Sequence, residues 1–468
     1  MTDPCNLGAV PMLAAFRQRT LSPVEVMRSV LDRMEAAEPL LAATWAAEPD
    51  NALAEARAAE ARWRAGQPLG PLDGVPVTIK ELIATKGFPK PLGTAATELV
   101  PQAADAPPAA RLREAGAIIF TRSTVPDYGM LSSGLSSFHR LSRNPWDVRL
   151  NPGGSSAGAA VAAAAGYGPL HVGTDIGGSV RLPAGWCGIF ALKPSNGRIP
   201  IDPPYHGRVA GPMTRSVEDS ALMMSVLSRP DERDHMSLPP ADLPWQDLDI
   251  DVKGLRIGLM LDAGCGLPVE AEVARAVMAA AQALADAGAV VQPVGPVISR
   301  AMLDGLDRFW RTRFLHEMQQ LPPERQVLIL PYIRDWVAAA HAYTAMDVYT
   351  GQEQVLRMKE AARDVFHGLD FILSPTSPVP AFPAEWASPV NDPARPFEHI
   401  AFTVAWNMSD HPASSINCGY TDTGLPIGLQ IVGRRFDDVG VLRLSRFYET
   451  IRPVQRPWAT PWCQQVKP

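Results

Sequence analysis

The chain is poor in cysteine. Cys5, Cys187, Cys265, Cys418 and Cys463 form an odd, scattered set among 468 residues. No two make a C-x-x-C pair, which argues against a disulfide framework and against a zinc site. Reduced thiols in a cytoplasmic protein are the expectation. Cys187 has no basic neighbour in sequence and reads as packing. Basic charge is not in excess: 43 Lys and Arg stand against 49 Asp and Glu, a formal net charge of −6. Nucleic acid is therefore not an expected partner. No apolar run reaches the ~18 residues that a membrane span requires. The first residues, Met1-Thr2-Asp3-Pro4-Cys5, lack the basic-then-apolar pattern of a secretory signal. No glycine cluster is followed by the Lys-Ser/Thr of a phosphate loop, and no G-x-G-x-x-G follows a strand pattern. No tandem repeat is found. An apolar content of 46% and a charged content of 20% are those of a globular protein.

The most unusual text is residues 151–198. It holds two glycine-serine clusters, Gly153-Gly154-Ser155-Ser156 and Gly177-Gly178-Ser179. The run Ala157 to Ala165 between them reads as a buried helix closed by Gly166. Leu170-His171-Val172 reads as a strand leading into the second cluster. Glycine turns leave backbone N–H groups free to point at a ligand. Gly154-Ser155-Ser156-Ala157-Gly158 also fits the G-x-S-x-G of a serine-hydrolase elbow centred on Ser156. An elbow needs a strand before it, and residues 143–152 are polar with two prolines. Far upstream, Val75, Val77 and Ile79 alternate in a strand pattern that ends on Lys80. A lysine held in a dry interior loses its charge more readily and becomes a base.

Together these residues resemble the amidase signature family. The matching text is Gly74-Val75-Pro76-Val77-Thr78-Ile79-Lys80, Asn151-Pro152-Gly153-Gly154-Ser155-Ser156-Ala157-Gly158, Gly173-Thr174-Asp175-Ile176-Gly177-Gly178-Ser179-Val180-Arg181 and Lys193-Pro194. It continues at Gly211-Pro212-Met213, at Asp370 to Thr376 and at Gly424 to Gln430. The resemblance implies a Ser–Ser–Lys amidohydrolase without metal or cofactor. Ser179 would be the nucleophile, Ser155 a bridging serine behind a cis peptide bond after Gly154, and Lys80 the base. Backbone N–H groups around Ile176, Gly177 and Gly178 would form the oxyanion hole. The backbone near Gly129 would face the acyl group. Thr124 and Asp127 depart from the family's usual asparagine and glutamate. The substrate would be a small-molecule carboxamide, with esters, anilides and carbamates as candidates. The rival reading is the glutaminase-type A subunit of a tRNA-dependent amidotransferase. The nearest arginine that could hold a glutamine carboxylate there, Arg357, looks out of register. A homodimer is left open.

The expected fold is α/β: one large domain over residues 1–468, with a mixed, twisted sheet surrounded by helices. Within it, residues 1–70 read as a helical region, 71–220 as the signature core and 300–350 as a variable region beside the substrate pocket. Ser22-Pro23-Val24-Glu25 reads as a capping box. Further expectations are an edge strand near 42–47, a helix over 52–64 and a strand over 116–120. A strand–helix–strand unit is expected from Leu255 to Val291. The aromatics of 300–350, among them Trp310, Phe314 and Trp336, read as helix packing or as pocket wall.

Overall fold

Ser22 opens the helix Pro23–Leu41 with a reciprocal cap. The Glu25 N–H donates to Ser22 Oγ at 3.1 Å, and the Ser22 N–H donates to Glu25 Oε2 at 2.8 Å. Two otherwise unpaired backbone donors are thus satisfied. Val26, Met27, Val30 and Met34 form the buried face, the spacing of a helix laid on a core. The helix expected over 52–64 runs Pro49–Ala65. It starts earlier because Pro49 suits the first helical turn.

The computed structural model describes residues 3–461; Met1, Thr2 and Cys463 fall outside them. Eleven strands join in one sheet among the described residues. They are β1 Thr44–Trp45, β2 Pro76–Lys80, β3 Ile118–Ser123, β4 Leu170–Asp175, β5 Phe190–Lys193, β6 Val209–Thr214, β7 Arg256–Leu259, β8 Val290–Pro293, β9 Phe371–Pro375, β10 Ala413–Tyr420 and β11 Pro426–Gly433. The order is β1-β3-β2-β4-β6-β5-β10-β11-β9-β7-β8. β2 runs parallel to β3 and β4, and β7 runs parallel to β8 and β9. In each half a helix connects two parallel neighbours: Pro107–Glu114 between β2 and β3, and Ala271–Asp286 between β7 and β8. The antiparallel β4/β6, β6/β5, β5/β10, β10/β11 and β11/β9 pairs join the two halves. This is the single-domain mixed α/β sheet expected from the sequence. β3 starts later than expected, because Gly116, at φ +85°, belongs to the turn before it.

The helix Ala157–Ala165 is buried along its whole length. Only small side chains permit this. A Cβ on Gly158 would collide with the Ala43 carbonyl. The helix starts at the first glycine-serine cluster, and β4 leads directly into the second. Helices Arg300–Gln319 and Pro331–Ala338 lie in the region 300–350 expected to vary, and helix Ala345–Val365 starts in it and runs beyond. Among the described residues no helix is long and apolar enough to cross a membrane, and Cys5, Cys187, Cys265 and Cys418 are unpaired thiols.

Candidate active site

β2 and β4 lie side by side and parallel, with Ile79 opposite Val172. Their C-terminal ends therefore meet. Lys80 Nζ lies 3.3 Å from the Thr174 carbonyl oxygen, 2.8 Å from Ser155 Oγ and 2.9 Å from Ser156 Oγ. The side chain is fully buried and makes no ion pair among the described residues. Burial holds its pKa well below the ordinary lysine range. The Arg208 guanidinium pushes the same way, while the Asp175 and Glu81 carboxylates oppose. Strand alternation predicts no influence from Glu81, and here the structure corrects it. The Glu81 carboxylate does turn away, to the Gly93 N–H and to His139 Nε2. Charge acts through space, however, so Glu81 still opposes the shift, as the smallest of the four causes.

Ser155 follows a cis Gly154–Ser155 peptide bond. Ser156, which the sequence offers only as an elbow serine, is a second partner of the Lys80 amine. Its Oγ donates to the Thr174 carbonyl at 3.1 Å and accepts from the Thr174 N–H at 3.2 Å, besides meeting Lys80. The first cluster thus supplies two hydroxyls to one amine. The elbow alternative lacks its strand, since residues 143–154 form only turns, bends and isolated bridges.

The second cluster is shaped by Asp175. Its carboxylate accepts from the Gly178 N–H at 2.7 Å, the Val180 N–H at 3.1 Å, Arg181 Nε and Nη2 at 3.0 Å each, and Asn407 Nδ2 at 2.9 Å. Burial alone would raise its pKa; the Arg181 guanidinium and Asn407 hold it well below the usual carboxylate range. This bears on the expected oxyanion hole. The Gly178 N–H, one of the expected donors, is engaged by Asp175 in this structure. Among the described residues the N–H groups of Ile176, Gly177 and Ser179 have no partner. Gly178 serves the turn instead: its φ is +124°, and a Cβ there would meet Thr403 Oγ1 at 2.7 Å.

Asp175→Ala is expected to weaken the fold by roughly 3–5 kcal/mol, because it strands the buried Arg181 without its charge partner. The chemical denaturation midpoint measures this. An unchanged midpoint would mean that other contacts hold the turn. Asp175 contributes fully above its unfolded pKa, and that contribution is lost as pH falls through its lower folded value.

Ser155, Ser179, Gly129 and Ile176 share one pocket. Gly129 has φ +68°, and a Cβ on it would stand 2.8 Å from Leu82 and 3.3 Å from Ser155 Oγ. Only glycine leaves the space before Ser155 clear. Trp310 and Phe314 form an apolar wall, so two of the aromatics expected either in the core or at a pocket line one. Trp336 packs behind them, stacked on Phe314 with centroids 5.9 Å apart. Leu82, Tyr128, Tyr205, Arg208, Trp310 and Arg313 line both this inner pocket and a wider outer chamber. Thr124 and Asp127 tie down the loop. Thr124 Oγ1 lies 2.8 Å from Ser142 Oγ, and Asp127 accepts from the Ser137 N–H at 2.7 Å and the Leu330 N–H at 3.1 Å.

Known proteins resemble this chain over nearly its whole length. A model of the family described as Amidase matches residues 25–442. The A subunit of the glutamyl-tRNA(Gln) amidotransferase of Chloroflexus aurantiacus is 33% identical, over 98% of this chain and 99% of that one. An acylamidase of Rhodococcus erythropolis is 32% identical, over 96% of each. The solved structure of a bacterial aryl acylamidase of the amidase signature enzymes superposes with a TM-score of 0.88 at 29% identity, covering 98% of this chain and 97% of that one. With a family model matching most of its length and relatives above 30% identity spanning nearly all of it, the chain belongs to the amidase family.

Proposed function

We propose that the protein is an amidohydrolase that cleaves the C–N bond of a small carboxamide through an acyl-enzyme on Ser179. The observation that carries this reading is Lys80, fully buried, without a counter-ion among the described residues, and 2.8 Å from a serine that shares a pocket with Ser179. A neutral amine has two N–H donors and one lone pair. It can donate to Ser156 Oγ and to the Thr174 carbonyl, and its lone pair can then accept the Ser155 hydroxyl. Every valence is used without a charge.

In this scheme Lys80 takes the Ser155 proton while Ser155 takes that of Ser179, and Ser179 Oγ attacks the carbonyl carbon. The unpartnered N–H groups of Ile176, Gly177 and Ser179 receive the developing oxyanion. The lysine proton returns through Ser155 to the leaving nitrogen, and the C–N bond breaks. Water then enters by the reverse relay and frees the acid. Ser156 and Thr174 position the amine. Within the region 300–350, Trp310, Arg313 and Phe314 set which acyl or amine group fits. The scheme requires no metal or cofactor. A cytoplasmic setting suits the unpaired thiols.

The names of several relatives favour a second reading, a glutaminase subunit that delivers ammonia to a partner. Arg357 gives it no support, since it pairs with Glu360 at 3.0 Å on an exposed helix face. The test is purified chain alone, assayed on primary amides, anilides, esters, carbamates and glutamine. Turnover of a simple amide is expected. Activity confined to glutamine and to a co-purified partner would replace the first reading with the second.

A further inference from the structure

We propose that the amide cleaved here carries a carboxylate, and that Arg208 at the neck of the pocket binds it. This rests on the amidase reading above and narrows its substrate class.

Arg208 stands just before β6 and is 6% exposed. Among the described residues four other arginines are buried, and each faces a carboxylate: Arg122 Glu48, Arg181 Asp175, Arg198 Asp438 and Arg311 Asp307. Arg208 has none among the described residues. Its guanidinium makes one hydrogen bond among the described residues, from Nη1 to the Pro203 carbonyl oxygen at 2.6 Å, and the Tyr205 ring centroid lies 5.1 Å from its Cζ. A guanidinium offers five N–H donors in a planar fork, so most of its donors are unused. A buried cation without a partner is destabilising, and a fork of this shape fits a carboxylate with two parallel hydrogen bonds.

The surrounding walls point the same way. Two acids line the chambers, and both are already matched. Asp175 holds Arg181, and Glu317 accepts from Arg313 Nε at 2.9 Å. Lys90, on the outer wall, makes no ion pair among the described residues. Asp202 acts on it only from beyond ion-pair distance. Among the described residues the neck therefore presents one guanidinium, Arg208, that no carboxylate pairs, next to the apolar surfaces of Trp310, Phe314 and Tyr128. An amide with a short apolar or aromatic body and a carboxylate at its far end matches that order.

The test uses the full chain and two matched substrate pairs. Succinanilate against butyranilide places the carboxylate on the acyl side. 4-Acetamidobenzoate against acetanilide places it on the amine side. In at least one pair, kcat/KM is expected to be tenfold or more higher for the acid. Arg208→Gln keeps an N–H for the Pro203 carbonyl but removes the charge. It should bring that ratio close to one, chiefly through KM, and Arg208→Lys should restore part of it. Calorimetry on the Ser179→Ala variant, with the same four compounds, reads binding apart from turnover. Should Arg208→Gln not fold, the wild-type ratio and Arg208→Lys still decide. Equal rates within both pairs, or a ratio unmoved in Arg208→Gln, overturn the anion site and leave the amidase reading standing. Arg208-dependent binding of the acids without hydrolysis of any amide supports the anion site and overturns the amidase reading. Neither binding nor hydrolysis overturns both.

Discussion

Ser179→Ala is expected to lower kcat/KM by a factor on the order of 10⁴ to 10⁶, the loss found when a nucleophile that works as a unit with its base is removed. Ser179 is the hydroxyl that lies with Ser155 in the pocket, in the same turn as the unpartnered N–H groups. Ser155 remains in the variant but sits one step back, against Lys80. Ser156 is wholly buried and tied to Thr174. A fluorophosphonate should therefore phosphonylate Ser179 in the native chain and leave the variant unlabelled, as read by peptide mass spectrometry. A label on Ser156 would reinstate the elbow reading despite its missing strand. Full labelling of the alanine variant on Ser155 would make that serine the nucleophile. The residual rate of the variant reports what the free amides and the pocket contribute without covalent chemistry.

What can be read from the sequence is local. Val75, Val77 and Ile79 announce β2 because strand alternation needs no partner to be visible, and Lys80 stands at its end. The alanine run announces a helix too small-sided to be anything but buried. The reciprocal cap at Ser22 and Glu25 is a pattern of three residues' span. The family resemblance then links Lys80 to the two glycine-serine turns, which proximity along the chain does not do. What is not legible is long-range. Arg208, Tyr205, Trp310 and Arg313 meet at the neck from segments about a hundred residues apart, and no periodicity marks them as neighbours. The order of the sheet, with β6 and β5 set between β4 and β10, has no local signature either. The Gly178 N–H looks free for a ligand from sequence, because the turn is visible there and the direction of Asp175 is not. A carboxylate folding back onto an amide in its own turn is a tertiary fact here, fixed by Arg181 and Asn407 from outside the turn's own residues.

Lys80→Arg and Lys80→Met are both expected to lose at least 10²- to 10⁴-fold in kcat, the range of a general base. The arginine variant keeps hydrogen-bond donors but carries a fixed charge. It fails because a guanidinium is not deprotonated in a protein. Near-normal activity in it would reduce Lys80 to a positive charge or a prop. The native enzyme should gain activity as pH rises through a limb set by Lys80, and that limb should lie below the ordinary lysine value of ~10.4, because burial disfavours the ammonium. The stability sign follows from the same shift. Between the lowered folded pKa and the ordinary value, the unfolded chain binds a proton at this position that the folded chain does not. Folding is therefore penalised there, the penalty relaxes as pH rises towards the ordinary value, and below the folded pKa it is constant. Lys80→Met removes the ionisable group while keeping an unbranched side chain of similar length. At neutral pH it should melt at a higher temperature than the native protein although it turns over almost no substrate, the opposition expected where a destabilising group is kept for chemistry. A methionine variant that is both inactive and less stable would mean that the hydrogen bonds to Ser155, Ser156 and Thr174 outweigh the cost of burying the amine, and that Lys80 holds the site together as much as it moves protons through it.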